Sequence, residues 1–233
     1  MKPLLIFGIF IMTMVFAQFA QAQTADEVIE KNITAMGGKD KLATLNSVRM
    51  QGNMNVQGTD IAITVTRVHG VGSRTDIEVM GTQNYQIVTP AGGTVFFPVQ
   101  GQSSPGPMPD DQFKAGVVSL DLHGIFVNYK EKGTQIEMAG KETIDGIECY
   151  KLKVTFKNGN VSDFYIDTKT DRLYKANTTL KMNGQDMDNY TLFSNYKQNA
   201  DGYWFAYTTT NARGAIDFDK IETNIKVDEN IFK

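Results

Sequence analysis

Cys149-Tyr150-Lys151-Leu152-Lys153-Val154-Thr155-Phe156-Lys157-Asn158-Gly159 is the stretch whose reading decides the fold. Successive side chains of an extended chain point to opposite sides. Tyr150, Leu152, Val154 and Phe156 therefore share one face, and Lys151, Lys153, Thr155 and Lys157 share the other. One face is dry and one is wet, as in an antiparallel sheet that meets water on one side. Asn158-Gly159 ends the run, and both residue types tolerate the positive φ of a tight hairpin turn.

The same pattern extends in both directions. Tyr174, Ala176, Thr178, Leu180 and Met182 oppose Lys175, Asn177, Thr179 and Lys181, while Ile221, Thr223, Ile225 and Val227 oppose Glu222, Asn224 and Lys226. Turn signals punctuate the chain from Ser47 onward: Gly58-Thr59-Asp60, Gly70-Val71-Gly72, Ala91-Gly92-Gly93, Asp145-Gly146, Asn183-Gly184, Asp201-Gly202 and Arg213-Gly214. This spacing predicts about eleven strands paired in sequence order. A long meander with one dry face has to curl around helices, around its own opposite wall, or around a ligand.

Two segments break the period. Thr24-Ala25-Asp26-Glu27 opens a helix, with Thr24 as cap, acidic residues at the positive end, and Val28, Ile29, Ile33 and Met36 at helical spacing. Gly37-Gly38 stops it, and residues 39–45 read as a further short helical stretch. The second break is residues 98–111, which hold four of the six prolines. A helix-like stretch, Asp110 to Val127, follows; loop and helix together are placed to cover the open side of a curled sheet.

Upstream of all this, Lys2, the apolar run Leu4 to Phe16 and Ala20-Gln21-Ala22 read as a secretory signal peptide over residues 1–22. The apolar run is too short to span a bilayer, which takes about 20 residues. Residues 23–233 are expected to form one domain, exported to the periplasm and soluble. With a net charge of −3 and no basic stripe, nucleic acid is excluded as a partner. Cys149 is the only cysteine, so it forms no intramolecular disulfide and reads as a buried, inert thiol.

Chemical motifs are scarce. His69 and His123 are far apart in sequence, there is no H-E-x-x-H, and no metal is assigned. No G-x-S-x-G marks a nucleophile, and Gly70-x-Gly72 lacks the third glycine and the helix of a dinucleotide site. The carboxylate pairs Asp110-Asp111, Asp186 with Asp188, and Asp217 with Asp219 sit near turns, where Asp is common. No catalytic residue and no cofactor is assigned; the reading is a protein that is not an enzyme.

Four segments, in order, resemble a known family. They are residues 25–42 (ADEVIEKNITAMGGKDKL), 85–97 (YQIVTPAGGTVFF), 164–173 (FYIDTKTDRL) and 201–205 (DGYWF). Together they look like the opening helix, aromatic-ended hairpin, "D-x-x-T" strand and late "G-x-W-F" strand of the periplasmic lipoprotein-localisation carriers. These are the LolA/LolB-like superfamily with its outer-membrane lipoprotein-sorting relatives. The resemblance implies a mainly β (α+β) fold: a half-open antiparallel β-barrel of about eleven strands, closed by helices over an apolar cavity. It implies a monomeric carrier in outer-membrane biogenesis that binds lipoprotein acyl chains or other lipid and contacts membrane proteins transiently.

Carriers of the family keep an arginine on an early strand that ties the lid shut. Arg67 is the best positional match and Arg74 the runner-up, although Val68 stands where the carriers have proline. Arg67 is thus expected to latch the 110–127 helix through a backbone carbonyl or Asp121. Alternation and helical period give the apolar candidates for the cavity: Val65, Phe96, Phe113, Val117, Leu120, Phe126, Leu152 and Phe164. Two alternatives stay open. One is an interaction module of the envelope with a filled core, contacting envelope proteins through an exposed Tyr203-Trp204-Phe205 patch. The other is a lipid or glycan hydrolase.

Overall fold

Helix α1 (Ala25–Ala35) begins at a reciprocal cap. Glu27 N donates to Thr24 Oγ1 at 3.2 Å and Thr24 N donates to Glu27 Oε2 at 3.0 Å, which satisfies two of the otherwise orphaned amides. It ends where Gly37 takes φ +113° and Gly38 N donates back to Ile33 O at 2.9 Å. The short α2 (Lys39–Leu42) follows directly. This computed structural model describes residues 23–233 except residues 57 and 183–184; the side chains of residues 57 and 179–188 are also outside it. The leader expected at 1–22, the turn expected at Asn183-Gly184 and the Asp186/Asp188 pair therefore lie outside the described residues or side chains.

The strands are β1 (Ser47–Val56), β2 (Thr59–Val68), β3 (Gly72–Val79), β4 (Thr82–Thr89), β5 (Gly92–Phe96) and β6 (Gly106–Pro107). Then come α3 (Asp110–Gly116) and a 3₁₀ turn over Val117–Leu120. The second run is β7 (Gln135–Ile144), β8 (Ile147–Thr155), β9 (Val161–Asp167), β10 (Leu173–Met182), β11 (Gln185–Gln198), β12 (Trp204–Asn211) and β13 (Gly214–Thr223). All belong to one antiparallel sheet in the order β6-β5-β4-β3-β2-β1-β13-β12-β11-β10-β9-β8-β7. The sheet is curved and open, with β6 and β7 at its two edges. Residues 108–134 run from one edge to the other across the mouth.

The described sheet has thirteen strands, not eleven, partly because the proline-rich loop contributes the two-residue β6. The helix expected over Asp110–Val127 is confined to Asp110–Gly116. Gly116 and the β-branched pair Val117-Val118 are poor helix formers, so the chain tightens into a 3₁₀ turn and then goes irregular. The alternation drawn through Ile225 and Val227 stops at Thr223, because Asn224 takes φ +52° and turns the chain out of the sheet. Asp145-Gly146 behaves as expected: φ values of +50° and +81° make the tight turn between β7 and β8.

One face of this sheet is covered by three apolar clusters. Val28, Ile29 and Ile33 of α1, with Phe126 and Val127, pack on Leu152, Val154, Phe164 and Ile166. Val48, Met50, Ile63, Val65, Phe218 and Ile221 form a second cluster, with Leu122 against it. Val88, Val95, Met108 and Leu120 form the third, joined by Phe113 and Val117. Polar contacts hold α1 in place. Asn32 Nδ2 donates to Asp171 O at 2.8 Å, and Arg172 donates to Ala35 O at 3.3 Å while its guanidinium lies 3.9 Å from the Trp204 ring.

Bulges let the sheet curve, and one of them sits between Gln51 and Gly52, where the register with β13 slips. A Cβ at Gly52 would stand 2.1 Å from Asp217 O, so the two strands approach only because that position has no side chain. We expect Gly52→Val to cost about 3 kcal/mol of stability. Gly106→Ala, which meets open space, should change stability by less than about 0.5 kcal/mol. Urea denaturation of both variants measures this; equal midpoints would refute the role of Gly52.

Candidate functional site

The crossing segment, the end of β2 and the β8–β9 turn meet around a cavity of about 370 Å³. Val117, Val118, Ile125 and Phe156 supply apolar wall, and His69, Asp121, Lys132, Thr134, Lys157 and Asn158 complete it. The alternation read from 149–159 puts Phe156 on the dry face with Leu152 and Val154, so the wall continues the first apolar cluster. Asn158 Nδ2 donates to Lys114 O at 3.2 Å, which ties the β8–β9 turn to α3. A Cβ at Gly133 would meet the Lys157 stem at 3.4 Å, so this lysine lies along the crossing segment. Volume and lining fit a small-molecule site: concave, mostly apolar, with a few convergent polar groups.

The two histidines, 54 positions apart, are brought together at the rim. Their rings stack with centroids 3.8 Å apart and planes 13° apart. Far apart in sequence, they meet because the crossing segment carries His123 back onto the end of β2. His69 Nδ1 accepts from Leu122 N at 3.2 Å and lies 3.9 Å from Asp121 Oδ1. Asp121 in turn is held by Lys132, whose Nζ also donates to Gly124 O at 2.9 Å. His69, Asp121 and His123 place one donor atom each within 4.8 Å of one another. Lys132 engages Asp121 Oδ2, and the stack clasps the crossing segment to the end of β2. Cys149, the other soft ligand type, is buried elsewhere, and burial pushes its thiol up to about 11.

A second clasp holds the far end of the segment. Tyr129 Oη donates to Asp26, and Lys130 Nζ reaches the other oxygen of that carboxylate at 2.9 Å. The hydrogen bond from Tyr129, then the one from Lys130, holds Asp26 below its ordinary value.

The sequence candidates distribute as follows. Val117 lines the cavity. Phe113 and Leu120 pack beside Val117 in the third cluster; Phe126, Leu152 and Phe164 lie in the first, and Val65 in the second. Phe96 stands apart from them: Val95 takes the inward position, and Phe96 projects from the other face against Tyr85, with ring centroids 5.5 Å apart. Neighbouring apolar residues on a strand face opposite ways, and alternation alone did not say which one went in. Arg67 shares a face with Val65 and donates to Ser73 Oγ at 3.3 Å; burial pulls its pKa down. Among the described residues no carboxylate pairs with it, and Asp121, the expected latch partner, is engaged by Lys132. Arg74, the runner-up, faces the other way, pairing with Asp76 at 2.8 Å and donating to Ile231 O at 3.1 Å.

Tyr203-Trp204-Phe205 is not an exposed patch. Tyr203 is buried and bonded to Thr44 and Asn224, and Trp204 lies under Arg172. Sequence reasoning missed Ile125, Phe156, Lys132 and Lys157 as cavity residues; only Phe156, on the dry face of the deciding stretch, carried a signal.

His123 gives the site a pH response. Its Nε2 is buried without a hydrogen-bond partner, and desolvation, then repulsion from His69, lowers its pKa below the ordinary 6.5. The unfolded chain therefore takes up a proton here at a higher pH than the folded chain does. The stabilisation is complete above about 6.5 and is lost as pH falls through the lower folded value. Thermal melts from pH 7.5 to 5.0 should show stability falling, and His123→Asn should flatten that fall. An unchanged slope would refute the assignment.

No protein-family model matches the sequence, and no curated protein matches it. Among solved structures the chain is similar to a DUF1329 family protein from Desulfovibrio piger, at 15% identity over 88% of this chain and 95% of that one, with a TM-score of 0.57. It is also similar to a LolA superfamily protein from Nitrosomonas europaea, at 15% identity over 91% and 98% of the two chains, with a TM-score of 0.56. At these identities the likeness is one of fold: the curved, half-open, helix-covered sheet of this chain is LolA-like.

Proposed function

We propose that this chain is a non-enzymatic periplasmic carrier that holds acyl chains, of a lipoprotein or of another lipid, against the inner face of its sheet. The observation that carries this reading is the roughly 370 Å³ cavity walled by Val117, Val118, Ile125 and Phe156, where the crossing segment meets the β8–β9 turn. An acyl chain sequestered there gains about 0.8 kcal/mol per buried methylene, so retention needs no catalytic group. Arg67, with Ser73 as its described partner, lies outside the cavity lining and is a cation available to a lid carbonyl after rearrangement. The signal-peptide pattern at 1–22 supports delivery to the periplasm, and the LolA-like fold suits transient contact with membrane proteins during outer-membrane biogenesis, as a monomer.

A second reading, an envelope interaction module, draws support from how much of the inner face is filled by the protein's own side chains, from Val28 and Ile29 to Phe126 and Phe164. Native mass spectrometry of protein purified gently from a periplasmic extract, with lipid identification alongside, separates the two. The carrier reading expects bound lipid or acylated peptide near one per chain, reduced at least about threefold by Val117→Trp, which fills the cavity. Val117 is preferable to Phe126 as the probe, since Phe126 is 6% exposed within the core and a charge there would unfold the domain. A bare mass, with no uptake of a fluorescent fatty acid, would sink the carrier reading in favour of the interaction module.

A further inference from the structure

The cavity's volume and charge specify a ligand class more narrowly than the fold does. At roughly the 30 Å³ that a small heavy-atom group occupies in a liquid, a cavity of about 370 Å³ holds about a dozen such groups. That matches one medium-length chain lying against these walls.

Charge is unevenly placed around this volume. Of the two lysines in the wall, Lys132 is engaged by Asp121, which leaves its charge neutralised. Lys157 is exposed, and no carboxylate pairs with it among the described residues. Asp121 is the only acidic residue in the described lining, so the wall carries a net positive charge on a chain whose overall charge is −3. The cation stands next in sequence to the apolar Phe156, so the site offers an apolar wall and a positive rim within one strand end. Such an arrangement is complementary to an anionic head on an apolar tail.

Resting on the carrier reading, we infer that this cavity takes a single-chain carboxylate amphiphile, a fatty acid of about twelve carbons, with its carboxylate toward Lys157 and its chain along Val117, Val118, Ile125 and Phe156. Isothermal titration of the purified protein with dodecanoate, dodecanol and dodecyl phosphate, each below its micelle concentration, tests it. Dodecanoate is expected to bind one to one and about fivefold tighter than dodecanol, the preference that one partly exposed ion pair supplies. Lys157→Glu, a change at an exposed side chain, should abolish or reverse that preference.

Equal affinity for dodecanoate and dodecanol, or a preference that survives Lys157→Glu, overturns the head-group assignment and leaves the carrier reading standing. Tighter binding of dodecyl phosphate than of dodecanoate overturns the carboxylate in favour of a phosphate head. A diacyl lipid recovered one to one from the native protein overturns the single-chain assignment while supporting a carrier. No binding of any of the three overturns this inference; the carrier reading falls with it only if the native protein also carries no lipid.

Discussion

The dry face of the thirteen-stranded sheet is the constraint on which everything else depends. Alternation along β8 and β9 commits Leu152, Val154, Phe164 and Ile166 to one side, and all four are nearly or fully removed from water. The described sheet pairs with no second sheet, so that side has to be covered by whatever the chain can bring across it. Two pieces do this: α1, which precedes the first strand, and the 108–134 segment, which joins the two edges. Curvature, cover and cavity all follow from a single-faced sheet that does not close on itself.

The cover is held mainly by polar contacts at its ends and apolar contacts in its middle. The histidine stack and the Leu122 N–H on His69 pin the segment to the end of β2, Asp121 and Lys132 join two points of the segment itself, and Tyr129 and Lys130 pin it to Asp26 of α1. Between them Phe126 and Val127 sink into the core. Ion pairs that keep some exposure contribute modestly, on the order of 1 kcal/mol or less each. The apolar anchors therefore supply most of the holding energy, and the polar groups set where the segment lies.

Local chemistry explains how much of the fold was legible. The capping box at Thr24 and Glu27, the glycine stop at Gly37, the turn at Asp145-Gly146 and the alternation of β8 are all decided within a few residues. Where the reading went astray, a long-range choice was involved. Val95 and Phe96 are equally apolar, and only packing against Met108 and Leu120 selects Val95 for the interior. Val117 and Val118 continue an apolar helical period, but the chain there bends to follow the mouth of the sheet.

By itself the sequence determined a β meander with one dry face, a capped leading helix and an interruption long enough to cross it, because those depend on period, turn chemistry and caps. It also determined that the obvious catalytic motifs are missing. Only the tertiary structure decided that His69 and His123 stack, that Asp121 pairs with Lys132 and not with Arg67, and that Phe156 and Lys157 flank a cavity with Val117 and Ile125. These meetings bring the crossing segment onto β2 and the β8–β9 turn and join it to itself at Asp121 and Lys132. They are fixed by how far the sheet curves and where the crossing segment lands, and neither quantity is written in any local stretch of the chain.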